Sequence, residues 1–197
     1  MPNKFFKHLK AYDKRRIPPG QKSTHLFPVL TYGETQVINL EQWELKVWGL
    51  VSPQKFTFKD LIKLPHHEFT KDFHCVTRWS KLDVQWTGVK VADFIKLVDV
   101  NSQATHVLQH CYGGYSTNLN LDDFVREDNF FAFKLFGKTL SAEHGGPVRT
   151  VIPHLYGWKS AKWINGLEFL DYEKLGLWES NGYHHRGDPW LHQRYDA

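Results

Sequence analysis

The chain of 197 residues has only two cysteines, Cys75 and Cys111, and one methionine. Two cysteines cannot build a disulfide scaffold, and without a Cys-x-x-Cys pair there is no thiol-rich zinc or dithiol redox motif. A reducing, cytoplasmic setting is the simpler expectation. There is no apolar run long enough for a membrane span. The opening stretch, MPNKFFKHLKAYDKRRIPPG, mixes charges with aromatics and has neither the apolar core of a secretory leader nor a twin-arginine signal. There is no internal repeat and no low-complexity segment. The net charge of +4 and pI near 8.9 come without a concentrated basic stripe, so nucleic acid is not expected as a partner. Attraction of a small anion or an acidic protein fits this balance better.

Large aromatics are abundant: 8 Trp and 14 Phe. Such side chains fill cores, and they also wall pockets for planar ligands. Composition and length suit a self-sufficient fold that buries roughly 70% of the surface its unfolded chain exposes. Residues 1–22 read as a basic N-terminal arm closed by Pro18-Pro19-Gly20, either a surface tail or a docking segment. Residues 23–197 read as a single domain. Trp43 to Trp48 alternates as a strand does. Thr57-Phe58-Lys59-Asp60 has the form of a capping box and predicts a short helix that ends before Pro65. Val91, Phe94, Ile95 and Val98 make one apolar helical face. Strands are predicted over 106–111, 115–121, 130–136, 147–152 and 163–170, and a short helix near 121–127 capped by Asn120. The fold class expected is α+β: a strand-rich mixed domain with few, short helices.

Two constellations carry chemistry. Cys75 lies in Phe73-His74-Cys75-Val76-Thr77-Arg78-Trp79-Ser80, where His74 and Arg78 would be expected to lower its pKa and favour the thiolate. A plain buried cysteine would look the same in isolation. The second runs from Glu143-His144-Gly145-Gly146-Pro147-Val148-Arg149 into Tyr156-Gly157-Trp158-Lys159-Ser160-Ala161-Lys162-Trp163. Arg149, Lys159, Lys162, Ser160 and the glycines could offer cations and backbone N–H groups to a phosphate. Tyr156, Trp158 and Trp163 could wall a flat ring. The alternative is a strand–turn–strand with solvated lysines.

Together, CVTRWS, the His-Gly-Gly-Pro-Val-Arg turn and YGWKSAKW resemble the sulfite oxidase superfamily of molybdopterin enzymes, in particular its small cytosolic sulfite-oxidase-like branch. The C-terminal GLWESNGYH and RGDPW are similar to that branch too, so the likeness runs from about Pro18 to Tyr195. The resemblance implies a molybdenum–molybdopterin cofactor with Cys75 as the protein's ligand to the metal. It implies pterin contacts from His144 and Arg149, and a cofactor-phosphate loop of Lys159, Ser160, Ala161 and Lys162. Thr24-His25-Leu26-Phe27-Pro28-Val29 resembles an N-terminal cofactor-contact segment, with one residue inserted, which points to His25 and Phe27. Cys111 falls where related reductases carry a cofactor-contacting threonine. The paired arginines that follow the sulfite oxidase cysteine are reduced to Arg78, which weakens sulfite as the substrate.

The expected activity is two-electron oxygen-atom transfer on a small oxyanion or an S- or N-oxide. Arg78 is expected to attract an oxyanion or polarise an S=O bond. Tyr183 or His184 is expected to line the substrate pocket. The implied partners are a small-molecule substrate and a separate electron-transfer protein or flavin, with no membrane, and the chain is expected to be a monomer. Competing readings are a non-catalytic ligand-binding module, indifferent to loss of Cys75, and a zinc enzyme built on the 12 histidines. Metal content separates them.

Overall fold

The structure, a computed structural model, describes residues 14–196; the first part of the expected arm, residues 1–13, lies outside them. The elements are β1 (Lys22–Ser23), β2 (Glu44–Gly49), β3 (Gln54–Thr57), α1 (Phe58–Leu61), β4 (His66–His74), β5 (Trp79–Lys90) and α2 (Val91–Phe94). They continue with β6 (His106–Cys111), β7 (Ser116–Asn120), α3 (Leu121–Phe124), β8 (Phe130–Leu135), β9 (Lys138–Thr139), β10 (Arg149–Val151) and β11 (Ile164–Leu170). The strands form two sheets. One runs β1-β5-β8-β10, with β4 also paired to β5 and β9 to β8; the other runs β3-β2-β11-β6-β7. The chain is thus a strand-rich α+β fold with few short helices, as the sequence pattern predicts.

Local chemistry explains the helices. Thr57 and Asp60 form the reciprocal capping box that opens α1, and the Asn120 side chain accepts from the Asp122 N–H to start α3. The apolar face at 91–98 divides into α2 and a 3-10 turn, Ile95–Leu97. The strands β6, β7, β8, β10 and β11 fall where alternation and apolar runs predict them.

Sheet β1-β5-β8-β10 is covered on both faces, and β8 shows how. Phe131 and Phe133 face the main core with Leu45, Val107, Ile152 and Leu167, while Phe130 and Ala132 face a second cluster with Phe69, Val84 and Trp86. A strand buried on both sides reads as a continuous apolar run, which Phe130-Phe131-Ala132-Phe133 is.

The longest pairing, β4 with β5, carries the site on its turn. Its register shifts between Lys71 and Phe73, so that two residues of β5, Leu82 and Asp83, stand opposite Asp72 alone, and Asp83 has φ 54°. Arg16 ties this bulge down: Nε donates to Asp72 (2.9 Å), and Nη2 donates to Asp83 at 2.7 Å and to Asp72. Arg16 and the strand that follows it are therefore docked on the hairpin, where Lys22 and Ser23 pair in parallel with Trp79 and Ser80.

Candidate functional site

Cys75 follows β4 directly. Its N–H donates to Trp79 O (2.9 Å), and the Arg78 N–H donates back to Cys75 O (3.0 Å). Arg78 has φ 75°. This is a three-residue hairpin loop that ends in a left-handed residue, a position glycine usually takes. An arginine there costs roughly 1 kcal/mol. The backbone turn leaves Arg78 exposed and outside the cavity that Cys75 lines. The arginine expected to attract an oxyanion is therefore not brought to the site. Two contacts clamp the turn from behind: Gln21 Nε2 donates to Cys75 O (2.9 Å) and Arg194 Nη1 donates to Val76 O (3.0 Å).

The expected electrostatics of the thiol need correction. Burial pushes the Cys75 thiol up, against smaller downward pulls from Thr77 and Arg194. His74, pushed down to about 4 by burial, is neutral at pH 7 and bonds Ser80 Oγ through Nδ1 (2.8 Å). Neither His74 nor Arg78 activates the sulfur. A bound metal would have to supply that ionisation.

The facing wall is built on β10 and the loop after it. Gly145 has φ 99°, and a Cβ there would stand 2.8 Å from Lys162 Cβ, so only glycine lets the turn close on the lysine. Thr150 Oγ1 accepts from the Ala161 N–H (2.8 Å), and Ser160 Oγ accepts from the Ile152 N–H (2.9 Å). These bonds lay the 159–163 loop over β10. Arg149, only 2% exposed, donates to the carbonyls of His144 (3.0 Å) and Ser160 (2.9 Å) and lies 5.5 Å from both the Phe73 and Trp86 rings. Burial pulls its pKa down to about 10. Half-buried Lys162 donates to Leu30 O (2.9 Å) and Glu143 O (2.6 Å), and burial, with Arg149 nearby, pulls it to about 7. Among the described residues neither cation has a carboxylate within ion-pair distance.

Between these walls lies a cleft of about 290 Å³. Of the residues singled out in the sequence, Cys75, Tyr183, Phe27, His144, Arg149, Ser160 and Lys162 line it, with Trp158 and Trp163. Phe27 stacks on His144 (5.0 Å between centroids) and meets Phe73, Trp79 and Trp86 edge-on. Arg78, His25, Cys111, Lys159 and Ala161 do not line the cleft. Burial pushes the Cys111 thiol far up. His184 faces a different, smaller cavity beside Asp123 and Glu173. Lys159 is turned inward: its Nζ donates to Asn118 O (2.9 Å), Asn118 Oδ1 (2.8 Å), His185 O and Glu179 Oε1 (2.6 Å), with both charged side chains fully buried. Sequence reasoning missed Glu179, whose Oε1 also accepts from Thr117 Oγ1 (2.7 Å) and Trp158 Nε1 (3.0 Å). It also missed Thr77, Tyr32, Tyr115 and Trp178 as lining residues.

A buried or half-buried cation without an acidic partner is costly, and here two such cations share one wall. The Tyr156 hydroxyl, in the same cluster as Cys75 and Trp158, is also buried without a partner among the described residues. Aromatic rings flank the cations and a thiol shares the cleft. The donor set fits a flat, anionic group that also takes a sulfur ligand.

The fold has a counterpart among solved structures. It matches the crystal structure of the sulfane dehydrogenase SoxCD from Paracoccus pantotrophus with a TM-score of 0.66, over 79% of this chain and 46% of that one, at 20% identity. The family model for the oxidoreductase molybdopterin binding domain matches residues 32–178, and the chain belongs to that family of oxidoreductases, within the sulfite oxidase superfamily. It is 44% identical to the oxidoreductase YuiH of Bacillus subtilis (strain 168) over 193 residues, 97% of this chain and 98% of YuiH. It is 28% identical to the protein-methionine-sulfoxide reductase catalytic subunit MsrP of Gluconobacter oxydans (strain 621H), over 87% of this chain but only 64% of that subunit.

Proposed function

We propose that the protein is a molybdenum–molybdopterin oxidoreductase in which Cys75 is the protein ligand to the metal and the wall from His144 to Trp163 holds the pterin and its phosphate. The observation that carries this reading is that one cleft is shared by the Cys75 thiol and by two cations, Arg149 and Lys162, that lack carboxylate partners among the described residues. No three His, Cys, Asp or Glu side chains among the described residues gather to hold a metal ion, so a metal here would need ligands from a cofactor, and the His-based zinc reading loses its support.

When bound, such a cofactor supplies the two-electron change that oxygen-atom transfer needs. This chain's residues then divide the remaining work. Cys75 ligates. Arg149 and Lys162 neutralise phosphate and orient the ring system. Phe27, Trp79, Trp158 and Trp178 exclude water from the cleft. Around Cys75 the lining is Val76, Thr77, Trp158, Trp178 and Tyr183, and Arg78 is turned away. A doubly charged oxyanion has little to compensate it there, whereas a neutral S- or N-oxide with an apolar substituent fits. The lining speaks to the charge of the substrate; the likeness to a protein-methionine-sulfoxide reductase catalytic subunit supports reduction as the direction. Electrons would come from a separate protein or flavin, and the name of MsrP, a catalytic subunit, supports a divided system. Both cysteines are free and buried, which supports a cytoplasmic setting; among the described residues no helix is long and apolar enough to cross a membrane.

The test is elemental analysis and pterin fluorescence on denatured protein, wild type against Cys75→Ala, followed by S- and N-oxides and sulfite assayed with dye donors and acceptors. Stoichiometric molybdenum with pterin, turnover of oxides above sulfite, and loss of turnover in Cys75→Ala are expected. Protein that carries no pterin when made in a cofactor-producing host would overturn the reading.

A further inference from the structure

The turn that presents Cys75 also presents a hydroxyl to it. Thr77 Oγ1 lies 3.1 Å from Cys75 Sγ, and Thr77 lines the same cleft. The hairpin's own bonds, Cys75 N–H to Trp79 O and Arg78 N–H to Cys75 O, fix Thr77 two residues after the sulfur whatever its side chain is, so turn formation does not require the hydroxyl. The other close neighbours of Cys75 are Val76, Tyr156 and Trp158, with Trp79, Trp178 and Tyr183 around them. The Trp158 N–H is committed to Glu179. A thiolate has no hydrogen to give, so once Cys75 is ionised the Thr77 hydroxyl must be the donor. Hydrogen bonds to a ligating sulfur withdraw charge from it and raise the reduction potential of the metal it binds.

We propose that Thr77 is a positioning residue for Cys75: its hydroxyl donates to the sulfur, keeps it facing the cleft, and weakens its electron donation so that a metal ligated there is reduced more readily. This rests on Cys75 being the metal ligand. It assigns the redox poise of the centre to a side chain that makes no bond to the metal.

The experiment uses holoenzyme from a cofactor-producing host and compares wild type with Thr77→Val, Thr77→Ser and Cys75→Ser. The readouts are the sulfur-to-metal absorption band and the redox titration midpoint. Thr77→Val keeps the side chain's shape, removes the hydroxyl donor and leaves the Thr77 backbone N–H that also bonds the sulfur. Its band should move to longer wavelength, and its reduced-to-oxidised ratio at a fixed poise should fall about fivefold, the worth of one modest hydrogen bond. Thr77→Ser should restore both. A band and midpoint in Thr77→Val equal to wild type, with the band abolished in Cys75→Ser, would overturn the role of Thr77 and leave the ligand in place. Thr77→Ser behaving like Thr77→Val would overturn it as well, because the hydroxyl would not be the agent. A Cys75→Ser spectrum equal to wild type in cofactor-loaded protein would overturn the ligand reading itself.

Discussion

Lys159 and Lys162 stand in one short segment, Lys-Ser-Ala-Lys, and the fold uses them in opposite ways. Lys159 is sealed in, with Glu179 as its counter-ion and Asn118 and His185 completing its bonds. Lys162 lines the cleft, and its partners among the described residues are the carbonyls of Leu30 and Glu143 and the face of the Trp163 ring, with no carboxylate. The first lysine is spent on holding the molecule together: its pair joins β7, the 157–159 turn and the C-terminal segment that delivers Trp178 and Tyr183. The second is left with unused capacity at the surface of a cavity. Residue type and motif are shared, and what separates the two is whether a carboxylate reaches them. A cation that the fold has already neutralised is architecture; one that it has not is available to a ligand.

The largest effect expected from this contrast is on stability. Glu179→Gln leaves the Lys159 ammonium buried without a counter-charge and should cost about 3–5 kcal/mol in urea denaturation. The double change Lys159→Met with Glu179→Leu should recover most of that loss. If both lysines are merely surface cations, Glu179→Gln will unfold like wild type. Lys162→Met should do the reverse: stability at or above that of wild type near neutral pH, because a half-buried ammonium without a carboxylate is removed, but anion binding weaker by about tenfold, the worth of a charge-assisted hydrogen bond. Pterin retained per protein after dialysis, alongside the urea midpoint, measures both. Equal losses of stability at Lys159 and Lys162 would erase the distinction.

The pH dependence sharpens it further. Lys162 sits at about 7 against an ordinary 10.5. Between these values the unfolded chain holds more protons than the folded one, so this lysine makes stability rise with pH through that window. An anion that favours the ammonium opposes this, so its affinity is highest below about 7 and falls above it. Sulfate keeps its charge across the range and serves as the probe. The thermal stabilisation it gives to cofactor-free protein should shrink between pH 6 and 9 in wild type, by roughly the fraction of ammonium lost, and be flat in Lys162→Met. The smallest effect concerns Arg78. Arg78→Gly relieves its left-handed backbone and should raise stability by up to about 1 kcal/mol, with turnover of a neutral oxide within about twofold of wild type. A large drop in turnover would return Arg78 to the cleft.

The sequence pattern made much of this legible, for identifiable reasons. In the β2–β11 sheet, β2, β6, β7 and β11 announce themselves by alternation and apolar runs while β3 does not; α1 and α3 are announced by their caps, and the cleft by a thiol and a cation-rich turn that the fold brings face to face. The β4–β5 hairpin was not legible. β4 reads His-His-Glu-Phe-Thr-Lys-Asp-Phe-His and buries little until its end, so it lacks an apolar face, although β5 buries every second residue from Ser80 to Gly88. The use of Lys159 was hidden because its counter-ion comes from a distant segment, and no spacing rule links them. The direction of Arg78 was hidden because one backbone angle sets it. The thiol's environment was misjudged because neighbours in sequence, His74 and Arg78, are not the groups that act on it in space.

The aromatic wall has an optical consequence. Four of the chain's eight tryptophans, Trp79, Trp158, Trp163 and Trp178, border the cleft. Any coloured group seated there lies within easy energy-transfer range of half the indoles in the protein. Intrinsic emission should therefore dim as the cleft fills and recover as it empties, giving this chain a built-in, label-free gauge of its own loading.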